Sequence, residues 1–293
     1  MPKEPKALSG KYELVKLVKD NGIAWLYLDR PKKKNAMNPA MHREIKAALE
    51  EVEKDESSRV LIITGTGDSF CSGLDVIESF VDTYDDPRRF YEALLDVSSV
   101  DGWNMKLRYF PKPTIACVNG YCFAGGFNIL SACDLAFASD EAKFGLSEIN
   151  FGHIPAGATT WSVSEFILPK NAMDLILTGR VIDAREAERM GLINKAVPKS
   201  KLRDETIALA EVLKSKHPVA LRTAKRNYLL SRRLGSDLFS AITSELSMLH
   251  ENTYFTQAEW IKVALEKFKS KEFKPGLETF KRTEKKARRN PKE

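Results

Sequence analysis

The chain is poor in the residues that bind metals or staple small folds. It has four histidines and four cysteines in 293 residues, and Cys71, Cys117, Cys122 and Cys133 contain no CxxC pair. Such spacing argues against a structural metal and for buried free thiols in a reducing compartment. Asp82, Asp85 and Asp86 have no His or Cys cluster beside them, so no metal is expected there either. Long apolar runs are also missing: nothing approaches the roughly 18 residues of a membrane span. The first residues, MPKEPKALSGKY, lack the apolar core of a signal peptide. A cytoplasmic protein with no membrane partner is expected. Gly65 and Gly67 follow an apolar run, yet no third glycine opens a helix at dinucleotide-binding spacing, and no GK[ST] occurs.

The net charge of +6 is unevenly placed. Residues 281–293, KRTEKKARRNPKE, hold seven Lys/Arg against two Glu, a surplus of +5 that leaves about +1 for the rest. A nucleic-acid binder would carry a basic face on its folded domain, whereas a terminal charge run reads as a solvated tail. At 43% hydrophobic and 29% charged the composition is that of an ordinary globular protein. A chain of this length buries about three quarters of its unfolded surface without staples.

Residues 12–30 read as a hairpin, YELVKLV and IAWLYLD around Asp20-Asn21-Gly22. A helix opening at Pro39 carries Met41, Ile45, Ala48, Leu49 and Val52 on one face. RVLIIT, residues 59–64, reads as a buried strand. The segment Glu78–Phe110 is helical in pattern and rich in aromatics, and the remainder beyond Leu202 carries apolar stripes at Leu202–Lys214, Pro218–Leu230, Leu238–His250 and Gln257–Lys269.

The chemistry concentrates in KPTIACVNGYCFAGGFNILSACDLAFASDEAKFGLSEINFG, residues 112–152. Thr114–Val118 reads as a buried strand, Asn119-Gly120 and Gly125-Gly126 as turns, and Ala124–Cys133 as a helix facing Phe127, Leu130 and Ala132 inward. Gly125 then lies at a helix N-terminus, where unpaired N–H groups and the helix dipole favour an anion. Glu148 follows in a loop between Gly145 and Gly152. An N–H donor brought to a carboxylate makes a site that can form and protonate an enolate.

These residues, with Ser69-Phe70-Cys71-Ser72-Gly73-Leu74-Asp75, resemble the crotonase (enoyl-CoA hydratase/isomerase) superfamily over about Tyr12–Arg282. Within it they are most similar to the p-hydroxycinnamoyl-CoA hydratase-lyases, and Phe273–Arg282 resembles the closing segment of that group. The resemblance implies an α/β fold: a crotonase-like ββα spiral core at 10–200, a C-terminal helical oligomerisation module at 201–282, and a disordered basic tail at 283–293. It implies a homo-oligomer, a trimer or dimer of trimers. The backbone N–H groups of Leu74 and Gly125 would form the oxyanion hole, and Glu148 would carry the proton. Lys33, Lys34, Ala36 and Ser72 would contact coenzyme A, with no cofactor beyond the CoA moiety of the substrate. Asp75 is expected to cap the next short helix, and Thr178, Gly179, Ala187 and Gly191 to serve as scaffold. His153 is expected to make an ordinary polar contact.

The first of the two glutamates in ordinary hydratases is Asn128 here. An amide can hold a water but cannot take its proton. The tyrosines that serve the phenol in the hydratase-lyases fall on Ser79 and Ser244, with Tyr84 and Tyr228 as spatial substitutes. The expected activity is therefore hydration of an enoyl-CoA through one carboxylate, with retro-aldol cleavage as a second step. An isomerase shuttling one proton, and a weakly catalytic RNA-binding relative using the tail, are the other readings left open.

Overall fold

A two-residue turn starts the fold. Asn21 and Gly22 both take positive φ, 46° and 78°, the type I′ geometry whose twist suits a hairpin. It joins β1, Val15–Asp20, to antiparallel β2, Ile23–Leu28, with Asp20 opposite Ile23. The computed structural model describes residues 11–81, 86, 88, 101–233, 263, 266–267 and 269–272. The expectations for 238–250, for most of 257–269, for Ser244, for the closing segment 273–282 and for the tail lie outside the described residues. So do those for the aromatic side chains Phe80, Tyr84, Phe90 and Tyr91.

Parallel strands extend the hairpin. β3 (Val60–Gly65) joins β2, β5 (Thr114–Val118) joins β3, β7 (Leu135–Ser139) joins β5, and β10 (Lys195–Val197) joins β7. The result is a six-stranded sheet ordered β1-β2-β3-β5-β7-β10. RVLIIT and TIACV read as unbroken apolar runs because both faces of a parallel sheet are covered. Leu61, Ile63, Ala116 and Val118 face the main core, which includes Met41, Ile45, Leu49 and Val52 of helix α1, Pro39–Lys54. Ile62, Ile115 and Cys117 face the other way, into a second core with Leu202 and Ala210 of helix α7, Leu202–Lys214.

Three-residue strands build a smaller sheet: β4 (Ser69–Cys71), β6 (Tyr121–Phe123) and β8 (Lys143–Gly145), closed by β9 (Ile182–Asp183). β3 runs on into β4, β5 into β6, and β7 into β8, so each circuit of chain lays one strand in each sheet. Helix α3, Gly126–Ala132, then returns the chain from β6 to β7. That is the ββα spiral of the expected crotonase-like α/β class. Helices α4 (Thr159–Phe166), α5 (Pro169–Thr178) and α6 (Ala184–Met190) follow, and Gly179 and Gly191 end α5 and α6 at φ of 60° and 84°. All four cysteines are buried, and none is in a disulfide. The chain divides into compact units at residues 1–213 and 214–293, the second containing helix α8, Pro218–Arg233. Among the described residues, no helix is long and apolar enough to cross a membrane.

His42, on the buried face of α1, was not legible as a core residue. It is 1% exposed and accepts a hydrogen bond at Nδ1 from Trp103 Nε1 (3.0 Å) on helix α2, Trp103–Arg108. Burial, helped by the Arg43 charge, pushes its pKa down to about 3. The unfolded chain takes up a proton near pH 6.5 that the folded chain refuses, so this contribution is complete above 6.5 and is lost as pH falls toward 3. At pH 5 the loss amounts to about 2 kcal/mol. His42→Gln can still accept from Trp103 but does not titrate. Urea unfolding of the wild type should therefore lose about 2 kcal/mol more than that of the variant between pH 7.5 and pH 5; equal losses would exclude His42 as the cause.

Candidate active site

The loop before α1 is held by one buried amide. Asn35, 0% exposed, accepts from Arg30 N–H (2.9 Å) and donates from Nδ2 to Thr66 O (2.9 Å) and Ser69 O (2.8 Å). It thereby laces residues 30–36 to the turn between β3 and β4. Met37 continues the lacing as a parallel bridge to Leu74: Met37 N–H donates to Gly73 O (2.8 Å) and Asp75 N–H to Met37 O (2.7 Å). In such a bridge the N–H of the middle residue points to the opposite side. Leu74 N–H therefore turns away from Met37, toward Gly125.

The approach on that side is close. A Cβ on Gly125 would sit 3.3 Å from Leu74 N, and one on Gly73 (φ +109°) would sit 2.9 Å from Ala124 Cβ. Gly125 occupies the N-cap position of α3, as its glycine pair implied. Asp75 caps as expected, accepting from Glu78 N–H at Oδ1 (3.2 Å) at the start of a π-helical turn, Ile77–Val81.

Glu148 is brought to the same place by strand pairing. β8 lies beside β6 with Gly145 opposite Phe123, and Ala124 N–H donates to Gly145 O (3.0 Å). The chain then enters a 3-10 turn, Ser147–Phe151, that carries Glu148. Gly179, at the end of α5, packs on Ile149 and Asn150 of that turn. Burial raises the Glu148 pKa above the ordinary carboxylate value, against a lowering backbone hydrogen bond. Its Oε2 is buried without a hydrogen-bond partner among the described residues. A carboxylate oxygen kept dry and unpaired is poised to exchange a proton with something brought to it. His153 is exposed, and its N–H donates to Glu148 O (3.0 Å), an ordinary contact that helps close the turn.

Asn128 is buried on α3, one turn after Gly125. Its hydrogen-bond network assigns the amide nitrogen to Ala156 O (3.1 Å), Gly157 O (2.9 Å) and Thr159 Oγ1. Thr159 Oγ1 in turn donates to Ala156 O (2.7 Å). The amide nitrogen thus fastens the 156–159 turn, and the amide oxygen is the group left to accept from a water. This fastening had no sequence signal beyond the glycine at 157. Arg108 supports the same region from outside, donating to Asn104 Oδ1 (2.7 Å) and Ser162 Oγ (2.6 Å), while Asn104 Nδ2 donates to Gly157 O (3.0 Å).

The residues expected to meet coenzyme A lie in the loop before α1 and in the turn after β4. Ala36 is buried, and Ser72 N–H donates to Lys34 O (3.0 Å). Lys34 Nζ lies over the Tyr121 ring at 4.3 Å from its centre, and Lys33 Nζ stands 4.0 Å from Asp75 Oδ2 with over half its side chain exposed. Ser79, at one of the two tyrosine positions, is buried. Tyr228 lies on α8 in the second unit. Among the described residues, no group of His, Cys, Asp and Glu could hold a metal ion.

The family model for enoyl-CoA hydratase/isomerase matches residues 18–278. The chain belongs to the enoyl-CoA hydratase/isomerase family. It is 38% identical over 277 residues to the hydroxycinnamoyl-CoA hydratase-lyase of Pseudomonas fluorescens, covering 93% of this chain and 98% of that one. Among solved structures it resembles an enoyl-CoA hydratase from Bacillus anthracis (TM-score 0.79, 27% identity, 88% of this chain and 97% of that one). An enoyl-CoA hydratase from Polaromonas sp. JS666 is similar to the same degree (TM-score 0.79, 25% identity, 88% and 97%).

Gly157 tests the fastening. Its φ is +68°, and an added Cβ would fall 2.5 Å from the nearer terminal atom of the Asn128 amide. Gly157→Ala should cost about 2–4 kcal/mol in urea unfolding, from left-handed strain and overpacking together. In an Asn128→Ala background only the strain remains, about 1–2 kcal/mol. Strict additivity of the two substitutions would show that the contact does not exist.

Proposed function

We propose that this chain hydrates an α,β-unsaturated CoA thioester through an enolate and then cleaves the β-hydroxy product by a retro-aldol step. The observation that carries the proposal is the buried, unpartnered Oε2 of Glu148 in a turn anchored beside the Leu74–Gly125 pair. Likeness to a hydroxycinnamoyl-CoA hydratase-lyase supports the cleavage step and an aryl acyl group.

In the proposed scheme, Leu74 and Gly125 N–H hold the thioester oxygen as charge moves onto it, each contributing about 3 kcal/mol if well aimed. Glu148 takes a proton from water as oxygen adds at C3, and returns it at C2. In the second step it takes the proton of the β-hydroxyl. The C2–C3 bond breaks, an aldehyde leaves, and the acetyl-CoA enolate is protonated at C2. Asn128 offers its amide oxygen to the water or hydroxyl but moves no proton. Lys33 and Lys34 face the coenzyme phosphates as cations, with Ala36 and Ser72 along the pantetheine, and no cofactor beyond the CoA moiety is required. A closed homo-oligomer, a trimer or dimer of trimers, is part of the proposal. Ile154, Trp161, Leu168, Met173, Leu177 and Val181 are between 50% and 73% exposed, an apolar accumulation that favours a covered face. Light scattering at micromolar concentration should give a mass of at least three chains; a monomer overturns the assembly.

Glu148→Gln keeps the shape and removes the proton carrier. Turnover of aryl enoyl-CoA should fall about 10³-fold or more, while Asn128→Ala should cost only about 5- to 150-fold. Because burial raises the Glu148 pKa, the ionised base is lost as pH falls through a value above 4.5. The acidic limb of the wild-type pH–rate profile should lie there and vanish in the residual activity of the Gln variant. Retention of more than about a tenth of activity by Glu148→Gln would end the single-carboxylate scheme. Mass analysis of products separates cleavage from a C2-to-C4 isomerisation.

A further inference from the structure

The Arg30 side chain stands outside every role assigned so far, and three groups from two segments meet its guanidinium. Nη1 donates to Ala36 O (2.6 Å) and pairs with Asp75 Oδ2 (3.1 Å), and Nη2 donates to Glu78 Oε1 (2.7 Å). The Arg30 side chain is only 11% exposed and that of Asp75 only 5%. Glu78 Oε2 accepts from Asn38 Nδ2 (2.6 Å), and Asn38 Oδ1 caps α1 through Met41 N–H (2.8 Å). The cluster therefore closes a ring around the short bridge between Met37 and Leu74. Residue 36 is held on one strand of the bridge and residues 75 and 78 on the other.

We propose that Arg30 is a positioning residue for the reaction, clamping the Ala36 strand to Asp75 and Glu78 so that Leu74 N–H keeps its aim at the thioester oxygen. The bridge itself is two hydrogen bonds long, and one more main-chain bond, Ser72 N–H to Lys34 O (3.0 Å), joins the same segments on the side away from Asp75. Asp75 is the immediate neighbour of Leu74: its N–H donates to Met37 O and its Oδ1 accepts from Glu78 N–H, while its buried Oδ2 accepts no hydrogen bond among the described residues and is balanced by the Arg30 charge at 3.1 Å. Removing the cation leaves a buried carboxylate unpaired, apart from Lys33 at 4.0 Å. Such a group relaxes by moving toward water. Because Asp75 is joined to Leu74 through one peptide bond, that movement rotates the donor. A misaim of a few tenths of an ångström weakens a hydrogen bond that must strengthen as the oxyanion forms.

The clamp rests on the proposed oxyanion role of Leu74 and Gly125, and the experiment separates the two. A conjugated aryl enoyl-CoA absorbs further to the red when its carbonyl is polarised. In a Glu148→Gln background it can be held at saturation without turnover. The expected result is a clear red shift in Glu148→Gln alone, reduced by half or more on adding Arg30→Met or Asp75→Asn. In wild-type background, either substitution should lower kcat about 10- to 100-fold and change KM less than about threefold. Asp75→Asn keeps an acceptor for Glu78 N–H, so it remains informative if Arg30→Met fails to fold. Arg30→Lys, which reaches one acceptor of the three, should recover only part of the shift. Full red shift and kcat within twofold of wild type in both variants would overturn the clamp. If Glu148→Gln alone gives no red shift although the ligand is bound, the oxyanion reading fails and takes the clamp with it.

Discussion

The direction of one bond, Leu74 N–H, depends on a main-chain bridge of minimal length. Met37 binds the carbonyl before Leu74 and the amide after it, and this leaves Leu74 facing Gly125. Everything around the bridge keeps two loops in register. Asn35 laces them on one side, the Arg30 cluster closes them on the other, and Cys71 lies beneath, in full burial. Side chains here hold backbone, and the Leu74 donor belongs to the backbone, so a substitution at Leu74 changes the side chain without removing the N–H group.

The spiral explains why the segments carrying Leu74, Gly125 and Glu148, far apart in sequence, leave the small sheet side by side. Each circuit adds one strand to the small sheet, and residues leaving the ends of β4, β6 and β8 share one edge. Leu74 follows β4, Gly125 follows β6 and Glu148 follows β8. Sites at the carboxyl ends of parallel strands arise from the same geometry in other α/β folds.

Much of this was legible in the sequence, and the misses have physical reasons. The hairpin showed itself because Asn-Gly suits only a tight primed turn, and β3 and β5 because unbroken apolar runs of that length fit a doubly covered strand. Helix α1 was visible through its 3.6-residue period. The three-residue strands β4, β6 and β8 were not, because two or three residues carry no period. Gly125 and Glu148 stood out as a donor turn and an isolated carboxylate. Asn35 and Arg30 did not, because in sequence they resemble any polar loop residues, and their weight comes from partners some 30 to 48 positions away. His42 carried no sequence signal as a core residue, because its burial depends on Trp103, 61 positions away. Asn128 was legible as an amide in place of an acid, but its tie to the 156–159 turn was not.

The four thiols have a use unconnected with chemistry at the site. All are buried, and burial pushes Cys71 up to about 12 and Cys122 well above its usual value. A thiol so protonated and enclosed does not react from the native state. Labelling must therefore wait for an opening, and its rate reads the population of open molecules. Cys71 precedes the Leu74 turn and Cys122 the Gly125 turn, while Cys117 lies on the opposite face of the large sheet. Comparing labelling at the first two with labelling at the third gives a clock for local opening of the Leu74 and Gly125 turns against opening of the whole sheet, written into the protein by its own side chains.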